Sequence, residues 1–278
     1  MTVLEVLQST TAYFEKRAIE SPRLSAEHLV AHSLGKKRIE LYLEFEHPLS
    51  EPELAPLRDL VRRRGQGEPL QHLLGTVEFG DHVFVSDKRA LIPRPETEQL
   101  VEYLCELTWP AQPRMLDVGT GSGVIALSLA ARFPQAEVYA VDLSEEALAL
   151  ALENRDRLQI PEQVHFLKGH LLDPVEGSFH LIVANLPYIA ASEARKLAPE
   201  VQHDPAVALY GGPQGDELIR ELITRAPFHL EASGMLALEI GHDQADELSA
   251  FLAAQNYHDI TVKKDYAGTS RFLFAKHG

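Results

Sequence analysis

The sequence lacks the features that mark several classes of protein. It has one cysteine, Cys105, in 278 residues, so no internal disulfide can form and we predict a cytoplasmic location. Its apolar stretches, such as residues 124–131, are broken by serine and arginine and are too short to span a membrane. The first residues have no basic region, which argues against a signal peptide. Histidine and cysteine show no metal-ligand spacing, so we predict no metal.

Positive charge is also scarce. The chain has 26 Lys and Arg against 41 Asp and Glu, a formal net charge of −15, which argues against a main role in gripping a nucleic-acid backbone. The densest cationic run, Arg62-Arg63-Arg64, lies on a predicted helix rich in acids, and a solvated face explains it better than a binding site. We therefore expect no direct nucleic-acid partner, no membrane association and a monomer.

The first quarter of the chain has helical periodicity. Val3, Leu7 and Phe14 recur at near-helical spacing. The run Ser50-Glu51-Pro52-Glu53 has the pattern of a capping box, and it predicts a helix that Gly65 ends. We predict a small helical bundle over residues 1–72 and a β-hairpin over residues 73–94, with strands at 76–79 and 82–85.

Residues 95–278 alternate between predicted helices and strands. A helix starts at residues 96–98, where acids suit the positive end of the helix dipole. Strands follow at 115–118, 137–142, 164–167, 180–184 and 235–240, separated by helices that include one over 217–230. This alternation predicts an α/β fold with a parallel, doubly wound sheet. Two closing strands, 260–262 and 271–274, predict an antiparallel hairpin around Gly268.

A glycine-rich segment, Asp117-Val118-Gly119-Thr120-Gly121-Ser122-Gly123, lies between a predicted strand and a helix. Glycines allow a tight turn and the close approach of a ligand, and the amides of the following helix favour an anionic group. An acid, Asp142, ends the next strand, where a carboxylate can bind a ribose diol. The spacing G-x-G-x-G, with Val124 at the last place, differs from the dinucleotide fingerprint. A turn that serves packing alone is the alternative reading.

A second segment, Asn185-Leu186-Pro187-Tyr188, follows a predicted strand at the edge where open α/β sheets bind ligands. Its residues suit an amide nitrogen that attacks a methyl sulfonium and develops positive charge. The Asn185 side-chain carbonyl and the Leu186 backbone carbonyl would stabilise that charge, as an oxyanion hole does with the opposite sign. Pro187 would orient the preceding carbonyl, Tyr188 would stack on the amide, and no general base is required. A chance turn is the alternative.

Both segments resemble motifs of class I S-adenosylmethionine-dependent methyltransferases. The second resembles the N-P-P-Y motif of enzymes that methylate planar amino groups, with Leu186 in place of a proline. The resemblance implies S-adenosylmethionine as cofactor. Its expected site comprises Asp117, Gly119, Thr120, Gly121, Ser122, Gly123, Asp142, Leu143, His170, Leu171 and Asn185. His170 stands where related enzymes usually place an acid near adenine; it could accept a hydrogen bond there or be a surface histidine.

The flanking segments narrow the resemblance. Residues 91–98, Leu-Ile-Pro-Arg-Pro-Glu-Thr-Glu, with residues 75–79 before them, resemble the release-factor glutamine methyltransferase (PrmC/HemK) family. Further matches lie at 203–209, 238–241 and 265–268, so the resemblance covers nearly the whole chain. Two departures are Gly215-Asp216, where the family tends to have Asp-Gly, and residues 268–271, which vary around an expected arginine.

The family resemblance implies a Rossmann-like methyltransferase domain over residues 95–278. The implied reaction is N5-methylation of the glutamine in the Gly-Gly-Gln motif of class 1 peptide chain release factors. Residues 1–72 and the hairpin would then dock the release factor. The expected substrate-binding residues are Asn185, Leu186, Pro187, Tyr188 and Arg94. For Arg94 and Thr97, a structural turn and a helix cap explain the residues about equally well.

Three alternatives stay open at this point. One is N5-methylation of a glutamine in a ribosomal protein, whose family shares the N-P-P-Y chemistry but continues differently after its Pro-Arg segment. Another is adenine-N6 methylation of DNA, which the acidic charge argues against. The third is a non-catalytic cofactor-binding module, and the intact glycine loop, Asp142 and Asn185 argue against it.

Overall fold

The structure, a computed structural model, describes residues 1–278 apart from the side chains of residues 195 and 196. The chain forms two compact units, one of residues 1–76 and 198–203 and one of residues 77–197 and 204–278. Within the part that is described, no helix is long and apolar enough to cross a lipid bilayer.

The first unit is a helical bundle, and the predicted helical N-terminal region is confirmed. Its helices are α1 (Val3–Glu15), α2 (Pro22–Ser33), α3 (Arg38–Leu41), α4 (Glu51–Arg64) and α5 (Leu70–Leu74). Their apolar faces bury Leu7, Phe14 and Leu29. The capping box predicted at the start of α4 is present, because the Ser50 backbone N–H donates to Glu53 Oε2 at 2.8 Å.

The second unit is built on a seven-stranded sheet. Before this sheet the chain forms a separate two-stranded hairpin, β1 (Thr76–Phe79) and β2 (His82–Val85), followed by helix α6 (Pro95–Glu106). The strands of the seven-stranded sheet then follow, most of them separated by helices: β3 (Arg114–Val118), α7 (Val124–Arg132), β4 (Glu137–Asp142), α8 (Glu145–Leu158), β5 (Val164–Lys168), β6 (Phe179–Asn185), α9 (Glu217–Arg225), β9 (Leu230–Glu239), α10 (Ala245–Ala254), β10 (His258–Lys264) and β11 (Ser270–His277). Two short strands, β7 (Ile189–Ala190) and β8 (Tyr210–Gly212), form a small sheet of their own.

The strand order is β10-β11-β9-β6-β3-β4-β5. Strands β9, β6, β3, β4 and β5 run parallel, and β11 is antiparallel to both of its neighbours. The predicted doubly wound sheet with an antiparallel C-terminal hairpin is therefore confirmed. In such a sheet, parallel strands end at one edge, and this edge carries the candidate site.

Helices cover both faces of the sheet, which explains why its central strands are apolar throughout. Along β6, Leu181 and Val183 face a core formed with α6 and α7, whereas Ile182 and Ala184 face a core formed with α9 and α10. All four are completely buried. Strand β6 is thus fixed on both sides, and it holds the segment that follows it in one place.

The structure differs from the sequence-based expectations in several places. The helix expected over 217–230 ends at Arg225, and a short 3-10 turn follows, because Pro227 cannot donate a helical hydrogen bond. Strand β9 starts at Leu230 rather than at residue 235. The pair β7 and β8 was not expected, since strands of two or three residues carry no detectable period.

Candidate active site

Four neighbouring parallel strands end at one edge of the sheet. The last residues of β3, β4, β6 and β9 are Val118, Asp142, Asn185 and Glu239. A cleft of about 1120 Å³, counting the part open to solvent, lies at this edge. Most residues predicted from the sequence line it: Arg94, Gly119, Thr120, Gly121, Ser122, Asp142, Leu143, His170, Leu171, Asn185, Leu186 and Pro187. Asp117 and Gly123 are buried and do not line the cleft, and Tyr188, which is partly buried, is also not among the lining residues.

The glycine loop adopts a conformation that L-residues rarely take. Gly119, Gly121 and Gly123 have φ angles of 76°, 56° and 85°. A Cβ atom on Gly119 would lie 3.0 Å from Leu186 Cδ2, so the loop also packs tightly against the Asn185 segment. These glycines therefore set both the shape of the loop and its distance from the second motif.

Asp117 holds this loop from inside. Its Oδ2 accepts hydrogen bonds from the Thr120 hydroxyl at 2.6 Å and from the Ala126 N–H at 3.1 Å. The side chain is completely buried, and burial raises the pKa of Asp117 to about 7. Among the described residues no donor reaches Asp117 Oδ1, so one buried acceptor lies next to the cleft without a partner.

Asp142 is fixed by one backbone amide of the glycine loop and by one at the start of α8. Its Oδ2 accepts the Gly121 N–H and its Oδ1 accepts the Ser144 N–H, each at 2.8 Å. Burial raises the pKa of Asp142 above its usual value, and these backbone hydrogen bonds oppose that effect. Each carboxylate oxygen can accept a second hydrogen bond. Asp142 thus keeps acceptor capacity toward the cleft that it lines.

The expected adenine region also lines the cleft. Leu171 is buried and has a φ of 47°, which turns the chain sharply after β5. His170 is partly exposed, and its Nδ1 lies 3.6 Å from Glu221 Oε1 on α9. The wall here is otherwise apolar, with Leu143 and Leu218 among its residues. An apolar slot with a few polar groups at its rim suits a flat heterocycle.

The side chains of Asn185, Thr97 and Glu239 are joined by hydrogen bonds. The Asn185 Nδ2 donates to Thr97 Oγ1 at 2.9 Å, and the Thr97 hydroxyl donates to Glu239 Oε2 at 2.7 Å. Asn185 and Glu239 are register partners on β6 and β9, and Thr97 comes from the first turn of α6. Among the described residues no donor reaches Asn185 Oδ1. The amide nitrogen of Asn185 is therefore engaged, and its carbonyl oxygen remains available at the cleft.

The segment after Asn185 is supported by a second layer of backbone. A Cβ atom on Gly211 would lie 2.3 Å from the Pro187 carbonyl oxygen, and one on Gly215 would lie 2.5 Å from the Tyr188 carbonyl oxygen. The Gln244 Nε2 donates to the same Tyr188 oxygen at 3.2 Å. Only glycine allows β8 and the turn after it to approach this closely, so Gly211 and Gly215 hold the motif in position.

Tyr188 and Arg94 are each held by neighbours in the second unit. Burial raises the pKa of Tyr188 to about 12, and the Arg271 guanidinium lies 6.0 Å from its ring centroid. Tyr188 is therefore a neutral phenol at physiological pH. The Arg94 Nη2 donates to Asp204 Oδ2 at 2.6 Å, and Asp204 Oδ1 accepts the Ile92 N–H at 3.2 Å. Arg94 therefore has a structural role at the edge of the cleft, where it binds Asp204. Its role in substrate binding stays a prediction.

Sequence reasoning did not identify several of these residues as parts of the site, among them Asn154, Gly211 and Glu239. Asn154, on α8, is completely buried and joins β2 to the glycine loop, since its Nδ2 donates to the Val85 and Ser122 carbonyls and its Oδ1 accepts the Val85 N–H. The available signal for Glu239 was an acid inside an otherwise apolar strand. Asn154 and Gly211 show no local signal, because their roles arise from distant segments.

Comparison with solved structures defines the class. A methyltransferase from Pyrococcus furiosus is similar with a TM-score of 0.54 and 22% identity, over 70% of this chain and 88% of that one. The T. thermophilus 16S rRNA N2 G1207 methyltransferase, solved with AdoMet and guanosine, has a TM-score of 0.54 and 17% identity over 73% of this chain and 50% of that one. At these identities the likeness shows the fold, which is that of methyltransferases.

Sequence comparison then identifies the family. Residues 5–75 match the PrmC N-terminal domain, and residues 95–210 match the methyltransferase small domain. The release factor glutamine methyltransferases of Chlorobaculum tepidum and Deinococcus radiodurans are each 40% identical, over 98% and 99% of this chain and 96% and 99% of their own. The human MTRF1L release factor glutamine methyltransferase is 35% identical over 98% of this chain and 86% of its own. The chain belongs to the release factor glutamine methyltransferase family.

Proposed function

We propose that this enzyme transfers the methyl group of S-adenosylmethionine to the N5 side-chain amide of the glutamine in the Gly-Gly-Gln motif of class 1 peptide chain release factors. Family membership supports the protein and glutamine acceptor. The observation in the structure that carries the proposal is the free Asn185 carbonyl oxygen beside the glycine loop, held in that orientation by Thr97.

The cleft fits S-adenosylmethionine by its chemistry. Asp142 offers acceptor capacity to a ribose diol, and the apolar slot near Leu171 suits adenine. The buried, partnerless Asp117 Oδ1 favours positive charge nearby, as the methionyl ammonium would supply. S-adenosylmethionine, when bound, supplies an electrophilic methyl group on a sulfonium. We assign binding of the cofactor to Gly119, Thr120, Gly121, Ser122, Gly123, Leu143 and His170 as well, together with Asn185.

The residues of the second motif act on the acceptor amide. A planar amide nitrogen becomes positively charged as it forms a bond to the methyl carbon and the bond from that carbon to sulfur breaks; the nitrogen then loses one of its protons to solvent. Carbonyl acceptors directed at its hydrogens lower the energy of the positively charged state. Asn185 Oδ1 and the Leu186 carbonyl supply this pair in our proposal. Tyr188, a neutral phenol, offers a ring face to the amide. Leu186 can replace a proline because its side chain packs against Gly119 while its backbone carries the chemistry.

The predicted helical residues 1–72 and the hairpin 73–94 would dock the release factor. A monomeric state, a cytoplasmic location and the lack of a nucleic-acid partner stay predictions.

The test offers labelled S-adenosylmethionine with a release factor, its Gln→Ala variant, a ribosomal protein substrate and DNA. We expect label in the wild-type release factor alone. Label in DNA, or equal labelling of the Gln→Ala variant, would contradict the proposal, and label in the ribosomal protein alone would favour the sister activity.

A variant of the motif tests the chemistry. Asn185→Ala removes the side-chain carbonyl, and we expect turnover to fall by about 100-fold or more while cofactor affinity stays within about threefold. The two quantities are measured by label transfer and by calorimetric titration with S-adenosylmethionine. Retained turnover would show that the acceptor pair is misassigned.

A further inference from the structure

The hydrogen bonds behind Asn185 determine which end of its amide can face the cleft. An asparagine amide has a donor end and an acceptor end of nearly the same shape, and only its partners decide the orientation. In the proposed reaction only the acceptor end is useful, because the glutamine nitrogen presents hydrogens. The orientation of Asn185 is therefore a condition for activity.

The donor and acceptor in each of these hydrogen bonds follow from Glu239, the last of the three side chains. An ionised Glu239 can only accept, so the Thr97 hydroxyl must donate its one proton to Glu239 Oε2. Thr97 Oγ1 then has only lone pairs left for Asn185, and the atom that faces it must be the donor Nδ2. The carbonyl oxygen is left at the cleft. Each donor in such a chain also polarises the next, which makes this oxygen a better acceptor.

A protonated Glu239 removes this constraint. Its carboxylic acid could donate to Thr97 Oγ1, and the Thr97 hydroxyl would then be free to donate to Asn185. An Asn185 amide rotated by half a turn would satisfy that arrangement equally well. Its NH₂ group would face the hydrogens of the acceptor amide, which is the wrong polarity.

We propose that Glu239, acting through the Thr97 hydroxyl, is a positioning residue that holds the carbonyl oxygen of Asn185 toward the acceptor amide. The inference rests on the proposed methylation of an amide nitrogen. It also gives a role to Thr97 and Glu239, two residues of the 91–98 and 238–241 segments that the glycine loop and the Asn185 motif leave without a function.

The surroundings of Glu239 decide its protonation state. Burial, with a smaller contribution from the Glu96 carboxylate on α6, raises the pKa of Glu239 to about 7. The hydrogen bond from Thr97, the Arg271 guanidinium on β11 and a weaker hydrogen bond from the Asn185 amide on β6 oppose this rise. The phenol of Tyr188 is the other polar group that faces Glu239. The ionised form that orients Asn185 is thus gained as pH rises through neutrality.

Kinetics of paired variants give the first test. At saturating S-adenosylmethionine and release factor, Thr97→Val should lower kcat by about 10- to 100-fold with little change in cofactor affinity. Thr97→Ser keeps the hydroxyl and should restore kcat to within about threefold of wild type. The wild-type kcat should rise with pH through about 7, and Glu239→Gln should abolish that rise.

Two controls accompany these variants. Thr224→Val on α9 makes the same side-chain change at an exposed helix position, and Glu231→Gln changes an exposed acid at the far end of the strand that carries Glu239. Both should retain the wild-type kcat and pH profile. A Thr97→Val enzyme within twofold of wild type, or a Thr97→Ser enzyme as slow as Thr97→Val, would overturn the inference.

A measurement without substrate separates this inference from the proposed function. In ¹⁵N-labelled protein, the side-chain NH₂ resonance of Asn185, assigned with Asn185→Ala, should shift with the same midpoint as the Glu239 carboxyl. Thr97→Val should weaken this coupling, so that the Asn185 resonance shifts less over the same titration. If the wild-type enzyme labels no release factor, the proposed function fails while this titration still decides the inference. If the Asn185 resonance of the wild type does not shift as Glu239 titrates, the inference is refuted.

Discussion

The substitution Glu239→Gln should make the second unit more stable at alkaline pH. Burial raises the pKa of Glu239 from its usual 4.5 to about 7. A tenfold change in proton affinity corresponds to about 1.4 kcal/mol, so ionised Glu239 costs the folded state roughly 3 kcal/mol. Glutamine has nearly the same shape, can still accept the Thr97 hydroxyl proton and carries no charge.

The pH dependence has a definite sign. Because the folded pKa lies above the unfolded one, the favourable contribution of Glu239 is fully present below pH 4.5 and is lost as pH rises through about 7. The free energy of unfolding of Glu239→Gln, minus that of the wild type, should therefore grow from near zero at acidic pH to roughly 3 kcal/mol above pH 8. For a unit of this size, that is a rise in Tm on the order of 5–10 °C.

Thermal unfolding of both proteins at a series of pH values measures this difference. Other titrating groups act on both proteins alike and cancel in the subtraction. Glu231→Gln is the matched control, since its carboxylate is exposed on the same strand. A difference that stays constant between pH 5 and 9, or that favours the wild type at high pH, would refute the reasoning about the buried charge.

Three further substitutions test how the site is held. Gly211→Ala places a Cβ atom 2.3 Å from the Pro187 carbonyl oxygen, so kcat should fall about 100-fold in the label-transfer assay. An unchanged kcat would show that β8 does not hold residues 185–188 in position. Asp142→Ala should weaken S-adenosylmethionine binding about 10- to 100-fold by calorimetry, and equal affinity would exclude Asp142 from the ribose site. Asn154→Ala leaves buried backbone groups of Val85 and Ser122 unpaired and should lower the free energy of unfolding by roughly 2–4 kcal/mol in urea titrations; a loss below about 0.5 kcal/mol would contradict this clamp.

The sequence by itself determined the class of fold and the two motifs. Apolar strands alternating with helices can bury both faces of a sheet in few ways, and the parallel arrangement follows from that pattern. A glycine loop after β3, an acid at the end of β4 and an asparagine at the end of β6 must meet, because parallel strands end at the same edge. The positions of Gly119, Asp142 and Asn185 in one cleft therefore follow from local patterns and a general rule.

The tertiary structure alone decided how these residues are held and oriented. Glu239 lies beside Asn185 because β9 is the neighbour of β6, and strand order is not encoded in the period of either strand. The close approach of Gly211 to Pro187 and the clamp formed by Asn154 join segments far apart in the chain. Hydrophobic periodicity reports which face of an element is buried, whereas the partner of a polar side chain depends on how the elements pack. The orientation of the Asn185 amide is for that reason a property of the assembled fold.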